Sequence, residues 1–287
     1  MKYDTFADYD PRAVQQTLPA FLTVWAGLGR YHGDLVLLGG LVPQFICQHP
    51  AGANALPRSS TLDVDFGIAL VASGGQYGTL ATDLSAQGFQ RSKKHPARFE
   101  KTIGGFVVHV DFLTENPPAS IGSVAVDDIT ASVMPGVNRA LATARVTTVE
   151  GLDIHGARQR ISARVCEVGP FVALKLRAFL HRQQPKDAFD LLYTLRHYDG
   201  GTHAAVAAFA EEVRAGNPAC ADAQACLARH FDGPVSPAPA KAAYFAYGER
   251  TPGEPADQAF RRAQIANEMV MAAELMRREI ESQARAP

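Results

Sequence analysis

The chain has few cysteines and no pairing pattern among them. Cys47, Cys166, Cys220 and Cys226 include no Cys-x-x-Cys spacing, which excludes the usual thiolate zinc and dithiol redox motifs. No apolar run approaches the ~20 residues a membrane-spanning helix needs. Net charge is nearly absent as well: 28 Lys and Arg stand against 29 Asp and Glu, so no global basic field draws the protein onto nucleic acid. The start, Met1-Lys2-Tyr3-Asp4, lacks the apolar core of a secretory leader, and reduced thiols in the cytoplasm are the expectation. Internal repeats and long low-complexity tracts are missing too, which argues against a solenoid. What remains is an ordinary globular balance, 47% hydrophobic and 20% charged. The 287 residues suffice for one large domain or two modest ones with a real core.

Against that background one segment stands out: Leu62-Asp63-Val64-Asp65-Phe66-Gly67-Ile68-Ala69-Leu70. Side chains alternate across a strand. Leu62, Val64, Phe66, Ile68 and Leu70 therefore share one face, and Asp63 and Asp65 share the other. Two carboxylates held side by side repel unless a cation sits between them. Oxygen-only ligands on a rigid strand suit Mg²⁺, or Mn²⁺, together with substrate phosphates. The same spacing at Asp8-Tyr9-Asp10 is a control. That copy precedes Pro11, and it predicts a helix start with Asp10 as N-cap and Pro11 at the first helical position.

The second copy differs in context. A predicted strand, Asp34 to Leu38, ends in Gly39-Gly40; a short helix follows, and then the strand with the carboxylates. This order, together with Arg58-Ser59-Ser60-Thr61-Leu62-Asp63-Val64-Asp65, resembles the nucleotidyltransferase superfamily related to DNA polymerase β. The local text is similar to the R-x-T-x-D-h-D version of the AbiEii-like nucleotidyltransferases of type IV toxin–antitoxin pairs, with the arginine one residue further out. The resemblance implies a third carboxylate on a neighbouring strand. Gly105-Phe106-Val107-Val108-His109-Val110-Asp111-Phe112-Leu113 supplies it in Asp111, after a Gly104-Gly105 hairpin signal. Three convergent carboxylates can hold the metals of an in-line displacement at phosphorus.

Further on, Ala173 to Arg182 reads as an amphipathic helix with Lys175 and Arg182 two turns apart on one face. Gln184-Pro185-Lys186-Asp187-Ala188-Phe189-Asp190 follows. The family carries a similar K-L-x-A…R…K-D-x-x-D-L stretch, which implies that Lys175 binds the nucleoside triphosphate and that Asp190 is catalytic or organises the site. A purely local account also covers these charges: Pro185 opens a helix, Asp187 complements its dipole, and Lys186 pairs with Asp190 at i,i+4.

The expected fold is α+β. A nucleotidyltransferase-type mixed β-sheet domain flanked by helices, residues 1–168, precedes an all-helical domain, residues 169–287, that completes the active cleft. The sheet domain is expected to hold a helix over 11–31, a helix near 77–87, a hairpin of 98–103 with 106–113, and strands at 144–149 and 160–167; 117–133 carries no clear pattern. The helices at 170–182 and 186–198 are expected to lie across the open face of the sheet. Pro234 to Pro239 reads as a linker, and a last helix near 256–283 carries Phe260, Ile265, Met269 and Met276 as packing residues. The basic run Arg91 to Arg98 would border the site.

The implied reaction moves a nucleoside monophosphate from an NTP to an acceptor. Asp63, Asp65 and Asp111 would hold the metal, with Asp111 helping to deprotonate the acceptor. Gly39, Gly40, Lys175, Arg58 and Thr61 would lie on the nucleotide. For partners, the resemblance implies an RNA acceptor such as a tRNA end and a cognate antitoxin, with no membrane. A small-molecule or protein acceptor, a non-catalytic binding module and a regulatory partner protein remain open alternatives.

Overall fold

A computed structural model describes residues 3–50, 56–58, 60–69, 79–126 and 128–285. Ala51 to Ala55, Ser59, Leu70 and Tyr77 lie outside the described residues. The protein is α+β with a mixed open sheet, and its chain divides into two compact units. Residues 10–45 and 60–167 form a sheet unit. Residues 168–285 form a helical unit, joined by the described parts of 1–9 and 46–59. The chain thus crosses between units three times before residue 60, where a single cut at 168 was expected. No helix among the described residues is long and apolar enough to cross a membrane.

In the sheet unit the strands are β1 (Leu35–Leu38), β2 (Asp63–Ile68), β3 (Gln90–Arg91), β4 (Arg98–Ile103), β5 (Phe106–Thr114), β6 (Ser123–Val126), β7 (Ile129–Val133), β8 (Arg145–Leu152) and β9 (Arg158–Val165). Their order is β3-β4-β5-β2-β1-β9-β8. β1 runs antiparallel to β2 and parallel to β9, and β2 runs parallel to β5. β5 pairs with β4 over 106–111 and with β7 at Leu113 and Thr114. The expected hairpin is present. Gly104 and Gly105 both take positive φ, 57° and 85°, as a two-residue turn between twisted strands requires. The unassigned stretch 117–133 holds β6 and β7, an antiparallel pair too short to show periodicity in the sequence.

The apolar face of the sheet is set by alternation. Val64, Phe66, Ile68, Val108, Val110 and Phe112 are buried. Phe66 meets Phe21, Trp25 and Phe112 with ring centroids 6.0, 6.1 and 5.9 Å apart. Burying side chains of this size supplies much of the unit's stability, roughly 1.5–3 kcal/mol each. Phe21 and Trp25 come from the N-terminal helical region. It is broken into α1 (Pro11–Val14) and α2 (Thr17–Gly27) plus a single 3₁₀ turn at Gly29–Tyr31, not one helix over 11–31. Pro19 explains the break: it has no N–H to give to an earlier turn, so the helix restarts with Pro19 in its first turn. Asp10 caps α1 as expected, accepting from the Arg12 amide at 2.8 Å. Three short helices complete this part of the chain: α3 (Pro43–Ile46), α4 (Leu80–Ala86) and α5 (Val137–Ala142).

The helical unit contains α6 (Val168–Arg182), α7 (Pro185–His197), α8 (Thr202–Arg214), α9 (Cys220–His230), α10 (Pro237–Tyr247) and α11 (Ala256–Arg285). The expected linker 234–239 is instead partly helix. Pro237 and Pro239 sit in the first turn of α10, where a missing N–H costs nothing. On α11, Ile265, Met269 and Met276 are buried, but Phe260 is 70% exposed and does not pack in the core. Residues 46–50 run beside the end of α7. Gln48 N donates to His197 O at 2.7 Å, Asp199 N donates to Ile46 O at 3.0 Å, and His49 Nδ1 lies 2.8 Å from Tyr193 Oη. These bonds tie this loop to the helices.

Candidate metal centre

Strand register assembles the polar face of the sheet. Asp65 is paired with Asp111 across β2 and β5, and Asp111 with Arg98 across β5 and β4. In the next row of that face Asp63 is paired with His109, and His109 with Glu100. Laterally paired residues point to the same side. The expected triad therefore converges: Asp63, Asp65 and Asp111 each offer an oxygen, and these oxygens lie within 4.8 Å of one another. Among the described residues this is the one cluster of acids, histidines or cysteines so arranged.

Neighbours hold the carboxylates in place. The Thr61 hydroxyl donates to Asp63 Oδ1, and the Thr17 hydroxyl fixes the Thr61 carbonyl at 2.7 Å. Gly39 has φ +70°, and a Cβ there would fall 1.7 Å from Asp65 Oδ2. The glycine is thus required twice, for its backbone and for the space that Asp65 occupies. Gly40 is buried in the same 3₁₀ turn, Gly39–Leu41.

Sequence reasoning placed Arg98 in a basic run and at the start of a hairpin strand, without giving it a partner. In the structure its guanidinium forks onto Asp111, Nε to Oδ1 at 2.7 Å and Nη2 to Oδ2 at 2.6 Å. The signal for this was present. A two-residue turn that sets Ile103 opposite Phe106 also sets Arg98 opposite Asp111. The bond to Asp111 raises Arg98 above its usual range, and the charges of Asp63 and Asp65 add to this. Burial, then the Arg98 charge, depresses His109. Its Nδ1 is 4.0 Å from Glu100 Oε2. The rest of the basic run, Arg91 and Lys93 to His95, is exposed, with Arg91 over the Phe99 ring at 5.4 Å.

Lys175, Asp190 and Arg58 belong to the helical unit. Lys175 is buried, donating to Asp190 Oδ2 at 2.7 Å and to Asp187 Oδ1 at 3.3 Å. Lys186 also donates to Asp190 Oδ2, at 2.6 Å, so the expected i,i+4 pair is present. Arg182, seven residues from Lys175, forks onto Asp187 at 2.6 and 2.7 Å. Burial alone would depress the Lys175 ammonium, but the charges of Asp190 and Asp187 overturn this and raise it. Burial likewise opposes ionisation of Asp190, and Lys175 and Lys186 reverse that, leaving its pKa lowered. Lys175 is therefore not a solvated surface charge. Arg58 lies near enough to Tyr193 for its charge to oppose the rise that burial imposes on that hydroxyl, which reaches about 12.

No protein-family model matches the chain, and no characterised protein or solved structure shows significant similarity to it. The chemistry is thus read from the residues. An all-oxygen donor set on a rigid sheet, with three carboxylates facing one guanidinium, can hold a hard divalent cation. The space kept clear at Gly39 fits that reading.

Proposed function

We propose that the protein is a Mg²⁺- or Mn²⁺-dependent nucleotidyltransferase that moves a nucleoside monophosphate from an NTP to an acceptor. The observation that carries this reading is the convergence of Asp63, Asp65 and Asp111 beside the glycine turn that follows β1. A nucleotidyltransferase-type sheet accounts for all three positions. A divalent cation bound there would neutralise triphosphate charge and orient the in-line attack.

The chain's own residues would do the rest. Asp63 and Asp65 would hold the cation against the triphosphate, with Thr61 fixing the rotamer of Asp63. Asp111 would complete a second position and take the proton of the attacking hydroxyl. Gly39 and Gly40 would let phosphates approach the backbone. In the helical unit, the triphosphate-binding role for Lys175 rests on its motif position, and its pairing with Asp187 and Asp190 keeps it charged. Asp190 would then hold that lysine in place. The exposed Lys93 and Lys94 favour a phosphate-rich acceptor such as RNA, as for an AbiEii-like toxin with a cognate antitoxin.

The test is incubation with each labelled NTP, Mg²⁺ and total cellular RNA. Label on RNA that Asp65→Asn abolishes is the expected result. Label on small molecules or protein would move the acceptor class. No transfer with any NTP would leave the fold without this activity.

A further inference from the structure

One contact on the sheet is not explained by a metal site alone. The third carboxylate already has a cation. Both oxygens of Asp111 accept from the Arg98 fork, and the two residues are paired in register on adjacent strands. This pair is short and about four-fifths buried, the side chains being 19% and 20% exposed. A guanidinium stays protonated at any physiological pH, so no proton can release it. A metal ion approaching Asp111 meets a neutralised carboxylate and a fixed positive charge behind it.

We propose that Arg98 is a built-in counter-ion that keeps Asp111 closed to metal until an anionic substrate draws the guanidinium away. The inference rests on the nucleotidyltransferase reading and adds an order of filling to it. The first cation is taken by Asp63 and Asp65. A triphosphate arriving with it offers Arg98 a second bidentate partner of higher charge, which guanidinium forks bind well. The β4 backbone is held by β5 over six paired positions, so the exchange needs side-chain rotation only. Asp111 is then released to a second cation. The site reaches its two-cation state only with substrate present.

The experiment counts Mn²⁺ ions bound to the full chain, by electron paramagnetic resonance of the free ion. It is run without nucleotide and with an α,β-methylene triphosphate analogue that cannot be cleaved. Wild type should bind one ion alone and two with the analogue. Arg98→Gln should bind two ions without nucleotide, its second affinity rising at least about tenfold, the scale of one strong local charge. Two ions on wild type without nucleotide would overturn the gate and leave the nucleotidyltransferase reading standing. So would a single ion on folded Arg98→Gln. If wild type binds no ion that Asp65→Asn removes, the metal site itself falls, and the gate with it. Should Arg98→Gln not fold, Arg98→Met serves instead. It removes the charge and keeps an apolar stem; a tighter second site supports the proposal, and an unchanged one overturns it.

Discussion

Two charged clusters, one in each unit, use the same residue types and end in opposite states. On the sheet, three carboxylates converge, Asp111 under the fork of Arg98, and remain partly open to solvent. Between α6 and α7, two buried carboxylates face three cations, and every member has a partner at 3.3 Å or less. The first keeps its carboxylates where water and ions can enter. The second is buried, and pairing imposes its ionised state against the opposition of burial. Such a buried network contributes mainly by being intact, because removing one partner leaves an uncompensated charge in low dielectric. Acidic charge at an accessible place marks chemistry; charge paired throughout in the interior marks structure.

The largest effect should come from the open cluster. Asp65→Asn is expected to lower nucleotide transfer by roughly 10³-fold with little change in melting temperature, since it removes charge but not volume. Loss of the fold in that variant, or retained activity, would erase the contrast between the clusters. The closed cluster should show the reverse pattern. Lys175→Ala should destabilise the protein by about 3 kcal/mol, the lower end for a broken buried pair because Lys186 still reaches Asp190. Urea denaturation checks this. An unchanged midpoint would show that the cluster is less buried than its geometry states.

Gly39→Ala is expected to fall next. It strains a residue at φ +70° and pushes a methyl into Asp65 Oδ2, so activity should drop by about 10²-fold with a modest loss of stability. Equal activity would mean that Asp65 can act from another rotamer.

The smallest effect sharpens the comparison with a third case, a buried base lacking a counter-charge. His197 lies two turns beyond Asp190 on α7, and its Nε2 is buried with no hydrogen-bond partner among the described residues. Burial, helped by Arg196 and His49, lowers its pKa to about 4. An unfolded histidine takes its proton near pH ~6.5. Between the two values the unfolded state binds a proton that the native state refuses. The stability His197 contributes is therefore complete above pH ~6.5 and is lost as pH falls towards 4. The loss should reach about 1–2 kcal/mol, discounted for partial exposure. Melting temperatures from pH 7 to pH 5 should fall in wild type and flatten in His197→Gln; parallel slopes would assign the pH dependence elsewhere.

Much of the sheet was legible in the residues. Alternation in β2 and β5 put the aromatics on one face and the carboxylates on the other, because a strand has only two sides. The Gly104-Gly105 turn fixed its hairpin, and Asp10 with Pro11 fixed a helix start, because those residues satisfy local backbone demands that few others meet. Helix breaks were harder. Pro19 interrupted a good apolar period, and Pro237 opened a helix where proline suggested a linker, since proline breaks or begins a helix according to its position in the turn.

The sequence by itself determined which residues carry charge, which strand faces they occupy and where the turns fall, because each follows from interactions within a few residues. Tertiary structure alone decided who meets whom. It set Asp65 beside Asp111 through a parallel pairing of strands far apart in the chain, and it brought Arg98 onto Asp111. It sent residues 46–50 to the helices, and it buried Lys175 among acids that make it structural as well as charged. Those outcomes depend on long-range packing and on the desolvation that comes with it, and desolvation turns a charge into either a paired one or a reactive one.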